Sequence, residues 1–99
     1  MTILATVTDP DGRTVVLTSD AWAHIAAQHR ELADARASLL IAVQQPDHRE
    51  PDPRPARERY WLQGAGPSRW LRVIVDFSSD PAEVVTAFGD RKDPAGWNT

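Results

Sequence analysis

Along the first eight residues Ile3, Ala5 and Val7 alternate with Thr2, Leu4, Thr6 and Thr8, and a second β-rich run, Thr14-Val15-Val16-Leu17, follows Asp9-Pro10-Asp11-Gly12. Proline suits the turn position that wants φ near −65° and glycine the one that wants φ above zero, so residues 1–17 are predicted to form a hairpin.

The period then changes. Thr18, Ser19 or Asp20 can cap a helix, and Asp20 suits the positive end of its dipole. Stepping about 100° per residue gathers Trp22, Ile25, Ala26, His29 and Leu32 into one stripe and turns His24 away from it, beside Gln28 and Glu31. The helix should run to about residue 32. A second helical stretch, 34–45, collects Ala35, Leu39, Ala42 and Val43 on one face and stops at Pro46.

Residues 46–55 hold four of the eight prolines among charged side chains, which predicts an extended, solvated loop without a packed element. Strands are expected over 57–63, 70–77 and 83–88, with turns at 64–68 and 78–81. Short links make neighbouring strands antiparallel. The expected fold is α+β: an N-terminal β-hairpin and two helices packed on an antiparallel sheet of about three to four strands. One domain over residues 1–88 is followed by a tail, 89–99, that is ordered only if Trp97 docks.

Ninety-nine residues, 41% apolar and 25% charged, fit one globular core. No apolar run approaches the ~20 residues of a membrane helix, and the start lacks a signal-peptide pattern, so a soluble domain is expected, cytoplasmic by default or else secreted. The lack of cysteine excludes a disulfide scaffold, a thiolate metal site and a Cys nucleophile. The net charge of −3 argues against a nucleic-acid ligand, but its distribution does not. Residues 1–48 carry three Arg against six acids, 49–72 six Arg against three acids, and 73–99 two basic residues against five acids. The middle segment is a basic stripe.

In the long strand Leu71, Val73, Val75 and Phe77 form an apolar face, whereas Trp70, Arg72, Ile74 and Asp76 form a mixed one. In 57–63 the odd positions Arg57, Arg59 and Trp61 share a face, and Tyr60 alternates onto the core side with Leu62. Arg57, Arg59 and Arg72 beside Trp61 and Trp70 combine donors for phosphate with rings for base stacking. The same pattern is that of a solvated face whose arginine stems cover the tryptophans. His29, in the apolar stripe, either satisfies its nitrogens inside the core or opens onto a cleft as a proton-transfer group. Thr86 is either a structural strand residue or a hydroxyl donor to phosphate. His24, His29 and His48 do not suggest a metal site, because His24 and His29 are five apart and diverge by about 140° on a helix, unlike an i,i+4 pair.

Taken in order, Leu17-Thr18-Ser19-Asp20-Ala21-Trp22-Ala23-His24-Ile25, His29-Arg30-Glu31-Leu32, Gln45-Pro46-Asp47, Arg57-Glu58-Arg59-Tyr60, Leu71-Arg72-Val73-Ile74-Val75 and Val85-Thr86-Ala87-Phe88 resemble the phage members of the barnase-EndoU-colicin-RelE-like (BECR) nucleases. The likeness spans roughly residues 12–88. It implies a small toxin-type domain that cleaves RNA, tRNA among the candidate substrates, without a metal or other cofactor. In such enzymes the ribose 2′-OH attacks the adjoining phosphorus and leaves a 2′,3′-cyclic phosphate. Carried over by position, the resemblance implies His29, Arg57, Arg72 and Thr86 as catalytic residues, with His24 orienting His29 or carrying a second proton. Arg59, Trp61, Trp70 and Tyr60 are the candidate substrate contacts. The implied partners are RNA and a cognate inhibitor protein that covers the basic face. Arg72 stands where the family pattern has Lys, which keeps the charge but not proton transfer at neutral pH. The alternative is a non-catalytic RNA- or protein-binding module of the same fold.

Overall fold

The computed structural model describes residues 2–65 and 68–97. Met1, the Gly66-Pro67 step of the expected turn and the last two tail residues lie outside them. Six strands, β1 (Ile3–Thr8), β2 (Thr14–Thr18), β3 (His48–Pro51), β4 (Arg57–Gln63), β5 (Trp70–Asp76) and β6 (Ala82–Asp90), form one sheet in the order β1-β2-β6-β5-β4-β3. Between β2 and β3 run α1 (Ser19–Gln28), a 3-10 turn (Arg30–Leu32) and α2 (Arg36–Gln44). The fold is α+β, and the expected sheet of three to four antiparallel strands is corrected to a six-stranded mixed sheet.

Two features enlarge it. The hairpin does not pack on the sheet but joins it, because β2 pairs in parallel with the start of β6 through Val15↔Ala82 and Val16↔Glu83. The proline-rich segment also supplies an edge strand: β3 fits between Pro46 and Pro53 and pairs antiparallel with β4, from His48↔Trp61 to Pro51↔Glu58. A proline without an N–H is tolerated at a sheet edge.

Local chemistry explains the helix bounds. Thr18 ends β2 and caps α1, its hydroxyl accepting from the Ala21 N–H at 3.1 Å. The first helix is shorter than expected. His29 leaves helical geometry (φ −133°, ψ 74°) while still donating its N–H to the Ile25 carbonyl, and the 3-10 turn beyond it carries Leu32 into the core.

The core lies between the helices and one face of the sheet. Ile25, Leu32, Leu39, Ala42 and Val43 meet Val15, Leu17, Tyr60, Leu71, Val73 and Val75. In β6 the register against β5 slips between Ile74↔Thr86 and Val75↔Val84, so Val85 is an extra residue. This bulge reverses the alternation: Ala82, Val84 and Ala87 are buried, while Thr86 and Phe88 turn to the opposite face of the sheet. No helix among the described residues is long and apolar enough to cross a membrane.

Candidate functional site

Strand pairing sets the layout of the open face. One row across the sheet reads Glu50, Arg59, Ile74, Thr86, and the next reads His48, Trp61, Arg72, Phe88. A third position pairs Arg57 with Asp76. The rows are about 7 Å apart along each strand. Arg57, Arg59 and Arg72 therefore share this face with Thr86.

A hollow of about 440 Å³ opens on the first row. Ile74, Val85 and Thr86 line it from the sheet, Arg57 and Arg59 from β4, and Asp52, Pro53 and Arg54 from the loop between β3 and β4. His24 reaches it from α1, and its position there adds an imidazole to three guanidinium groups and a hydroxyl. Three arginines against one lining carboxylate make the hollow suited to an anion.

The arginines differ in how they are held. Arg59 donates from Nε to Asp52 at 2.8 Å and from Nη1 to Glu50 at 2.9 Å, and these partners, Asp52 first, raise its pKa against the opposing effect of burial. Asp52 is drawn below the ordinary carboxylate value: burial pushes it up, but the Arg54 backbone N–H and the Arg59 guanidinium outweigh that. Arg57 is only loosely paired, its Nε 3.8 Å from Asp76. Arg54 makes no ion pair among the described residues. Glu50 also meets His48, 3.1 Å from Nε2.

Arg72 and His29 lie one row further along. The Arg72 guanidinium is sandwiched between the Phe88 ring (4.2 Å) and the Trp61 ring (4.8 Å), and its only ion partner among the described residues is Asp90, at 3.6 Å. Burial pushes its pKa down. The His29 ring meets the other neighbour of that sandwich, with its centroid 5.7 Å from that of Phe88. His29 and Arg72 thus share Phe88, whereas His24, Arg57, Arg59 and Thr86 share the hollow.

Of the proposed substrate contacts Tyr60 needs correction, and the two tryptophans are covered. Tyr60 is fully buried on the core face and donates its hydroxyl to Asp9 at 2.8 Å, so it cannot touch a ligand on the open face. Trp61 and Trp70 do face the open side, but at 3% and 0% exposure neither is a free stacking surface. Trp70 lies under Trp97 and donates from Nε1 to Asp93. Sequence reasoning missed Glu50, Asp52 and Arg54 because the stretch that carries them was read as a solvated loop, and it weighed His48 only as a metal ligand. The signal was the charge alternation of His48-Arg49-Glu50, visible only once that segment is paired with β4.

No known protein family, curated protein or solved structure matches the chain. A functional reading therefore rests on the geometry and on residue chemistry. A second hollow, about 470 Å³ beside Gly12, Arg13, Phe77 and Asp80, offers less: Arg13 is already committed to Asp9 and Glu58 at 2.7 Å each. Among the described residues no three His, Asp or Glu side chains are gathered as metal ligands.

Proposed function

We propose that the chain is a metal-independent endoribonuclease of toxin type, with the hollow between α1, β4 and β6 as its reaction site. The observation that carries this reading is the meeting of His24, Arg57, Arg59 and Thr86 around one ligand-sized space. Cleavage by the ribose 2′-OH needs a group to accept its proton, positive donors at the non-bridging phosphate oxygens, and a proton for the departing 5′-oxygen. His24 is the imidazole placed to accept the 2′-OH proton in the hollow, and the departing 5′-oxygen takes its proton from solvent water. Arg57 and Arg59 neutralise the phosphorane, Thr86 adds a neutral donor, and Glu50 with Asp52 holds the Arg59 fork in position. Arg72 and His29 bind the adjoining nucleotide, one row along. This exchanges the roles of His24 and His29 relative to the family-based expectation, because His24 is the one that lines the hollow.

The test is incubation of purified protein with single-stranded RNA and with tRNA in EDTA, followed by analysis of the ends. Cleavage leaving 2′,3′-cyclic phosphate, reduced at least a hundredfold in His24→Ala and Arg57→Ala, is the expected result; intact RNA after incubation with folded native protein overturns the reading. A specific observation favours a second reading, a non-catalytic binding module: Arg59 and Arg72 already meet carboxylates within the chain. Binding of RNA without cleavage by the native protein selects it. In either case the arginine-rich face is where an acidic inhibitor protein would cover the site.

A further inference from the structure

The aromatic side chains of the open face form a closed ring of edge contacts. Centroids lie 6.4 Å apart for His48 and Trp61, 5.9 Å for Trp61 and Trp70, 4.9 Å for Trp70 and Trp97, and 6.0 Å for Trp97 and His48. Three of these rings belong to β3, β4 and β5. The fourth arrives from the tail beyond β6, and two carboxylates accompany it, Asp90 at the end of β6 and Asp93 in the tail. Asp90 meets Arg72 at 3.6 Å, and Asp93 accepts from Trp70 Nε1 at 2.9 Å while pairing with Arg69 at 3.1 Å. A flat ring on aromatic edges, with anionic oxygens at neighbouring donors, is the set of groups that a single-stranded nucleotide presents.

The internal occupant fits incompletely. Trp61 Nε1, Trp97 Nε1 and Arg72 Nε are all buried without an acceptor among the described residues. Buried N–H groups are normally paired, so the two orphans that stay on the sheet when Trp97 leaves, Trp61 Nε1 and Arg72 Nε, mark a place where acceptors are missing. An indole brings none. A nucleobase edge carries carbonyl and ring-nitrogen acceptors.

We propose that His48, Trp61 and Trp70 form a nucleobase subsite for single-stranded RNA, closed in this structure by the chain's own Trp97. This rests on the ribonuclease reading of the neighbouring hollow, which lies one row away, about 7 Å along the strands. Asp93 of the tail stands where RNA would bring a phosphate oxygen. RNA entry displaces the tail, so the tail acts as a built-in competitor.

The test compares the full-length native chain with Trp97→Ala in titrations against a 2′-O-methyl single-stranded hexanucleotide, which cannot be cleaved, and against an abasic oligonucleotide of the same length. The expected result is about tenfold tighter binding of the hexanucleotide by Trp97→Ala, no gain for the abasic strand, and loss of the gain when His48→Ala is added. Asp93→Asn, which loosens the tail without removing the ring, should move affinity the same way by a smaller factor and serves if Trp97→Ala fails to fold. Unchanged or weaker binding by both variants overturns the subsite, as does an equal gain for the abasic strand. A gain confined to a tryptophan-bearing peptide of the tail sequence also overturns it, in favour of a protein ligand. RNA cleavage with no change in oligonucleotide affinity removes the subsite and leaves the ribonuclease reading intact; tighter base binding without cleavage by any form does the reverse.

Discussion

Tyr60 donates its hydroxyl to the Asp9 carboxylate at 2.8 Å across 51 residues of sequence, tying the turn of the first hairpin to the centre of β4. Asp9 is held by more than this bond: Arg13 donates to the same carboxylate oxygen from Nε and Nη2, at 3.0 and 2.7 Å, and lies over the Phe77 ring. The tie matters because β2 joins β6 through only two residue pairs. Tyr60→Phe removes one hydrogen bond to a charged, buried group, and the expected loss is about 1.5 kcal/mol, or roughly 6–12 °C in Tm. Urea or thermal unfolding measures it; an unchanged midpoint would mean that Arg13 alone satisfies Asp9.

The same network sets how stability responds to pH. Burial pushes Asp9 up, but hydrogen bonds from the Arg13 side chain and backbone and from Tyr60 outweigh it, leaving the carboxyl below its ordinary value. A depressed carboxyl contributes stability that is present above its unfolded value of about 3.9 and lost as pH falls through the folded one. Asp52 acts in the same direction. Tyr60 is the opposite case: burial, then the Asp9 hydrogen bond, raises its pKa, so its share is complete below about pH 10 and declines as pH rises beyond that. Unfolding free energy measured against pH should therefore be level through neutrality and fall below about pH 4 and above about pH 10. Asp9→Asn should flatten the acid limb, and Tyr60→Phe the alkaline one.

Arg57 and Arg59 provide a contrast that separates binding chemistry from packing. Arg59 is locked by Glu50 and Asp52, whereas Arg57 has one loose partner at 3.8 Å. Arg57→Ala should keep a near-native Tm while reducing kcat/KM for RNA by about 10²–10³, the range for loss of one donor to a developing anion. Arg59→Ala should lose both, since it leaves Glu50 and Asp52 facing each other. Glu50→Gln should raise KM more than it lowers kcat, because Arg59 keeps its charge while one of the two acceptors that aim it becomes neutral and holds it more weakly. Parallel losses of Tm and activity in Arg57→Ala would assign Arg57 a packing role.

Much of this site follows from alternation alone. The two faces of β5 can be read from Leu71, Val73 and Val75 against Trp70, Arg72 and Ile74, and the arginines of β4 fall on the same side as Arg72 by parity. What parity could not supply was anything that depends on a partner strand. Thr86 could not be assigned a face because the extra residue Val85 reverses the alternation of β6, and a bulge is defined by the neighbour it opposes. The short strand β3 was hidden by its prolines, and with it the carboxylate Glu50 that aims Arg59. The parallel seam between β2 and β6 joins residues far apart in sequence, for which local pattern holds no signal. Trp97 was expected to order the tail only by docking, and it does dock, but on the face that the tryptophans of β4 and β5 were expected to leave open.

Arg72 offers the sharpest separation of stability from function. Its guanidinium lies between two rings, its side chain is 19% exposed, its nearest carboxylate is 3.6 Å away, and its Nε has no acceptor among the described residues. Burial pushing its pKa down means that the folded chain opposes this charge. Replacing a buried ion pair by apolar side chains of similar volume is commonly neutral or stabilising, and Asp90, the partner that Arg72→Met leaves behind, pairs only at 3.6 Å and keeps contact with solvent at 21% exposure. Arg72→Met should therefore keep or raise Tm, with the methionine filling the slot between Trp61 and Phe88, while RNA affinity and cleavage fall together. Thermal melts and RNA titrations on the same preparations decide the matter: a large drop in Tm for Arg72→Met would make the sandwich part of the structural framework, and undiminished RNA binding would leave the charge without a purpose on this face.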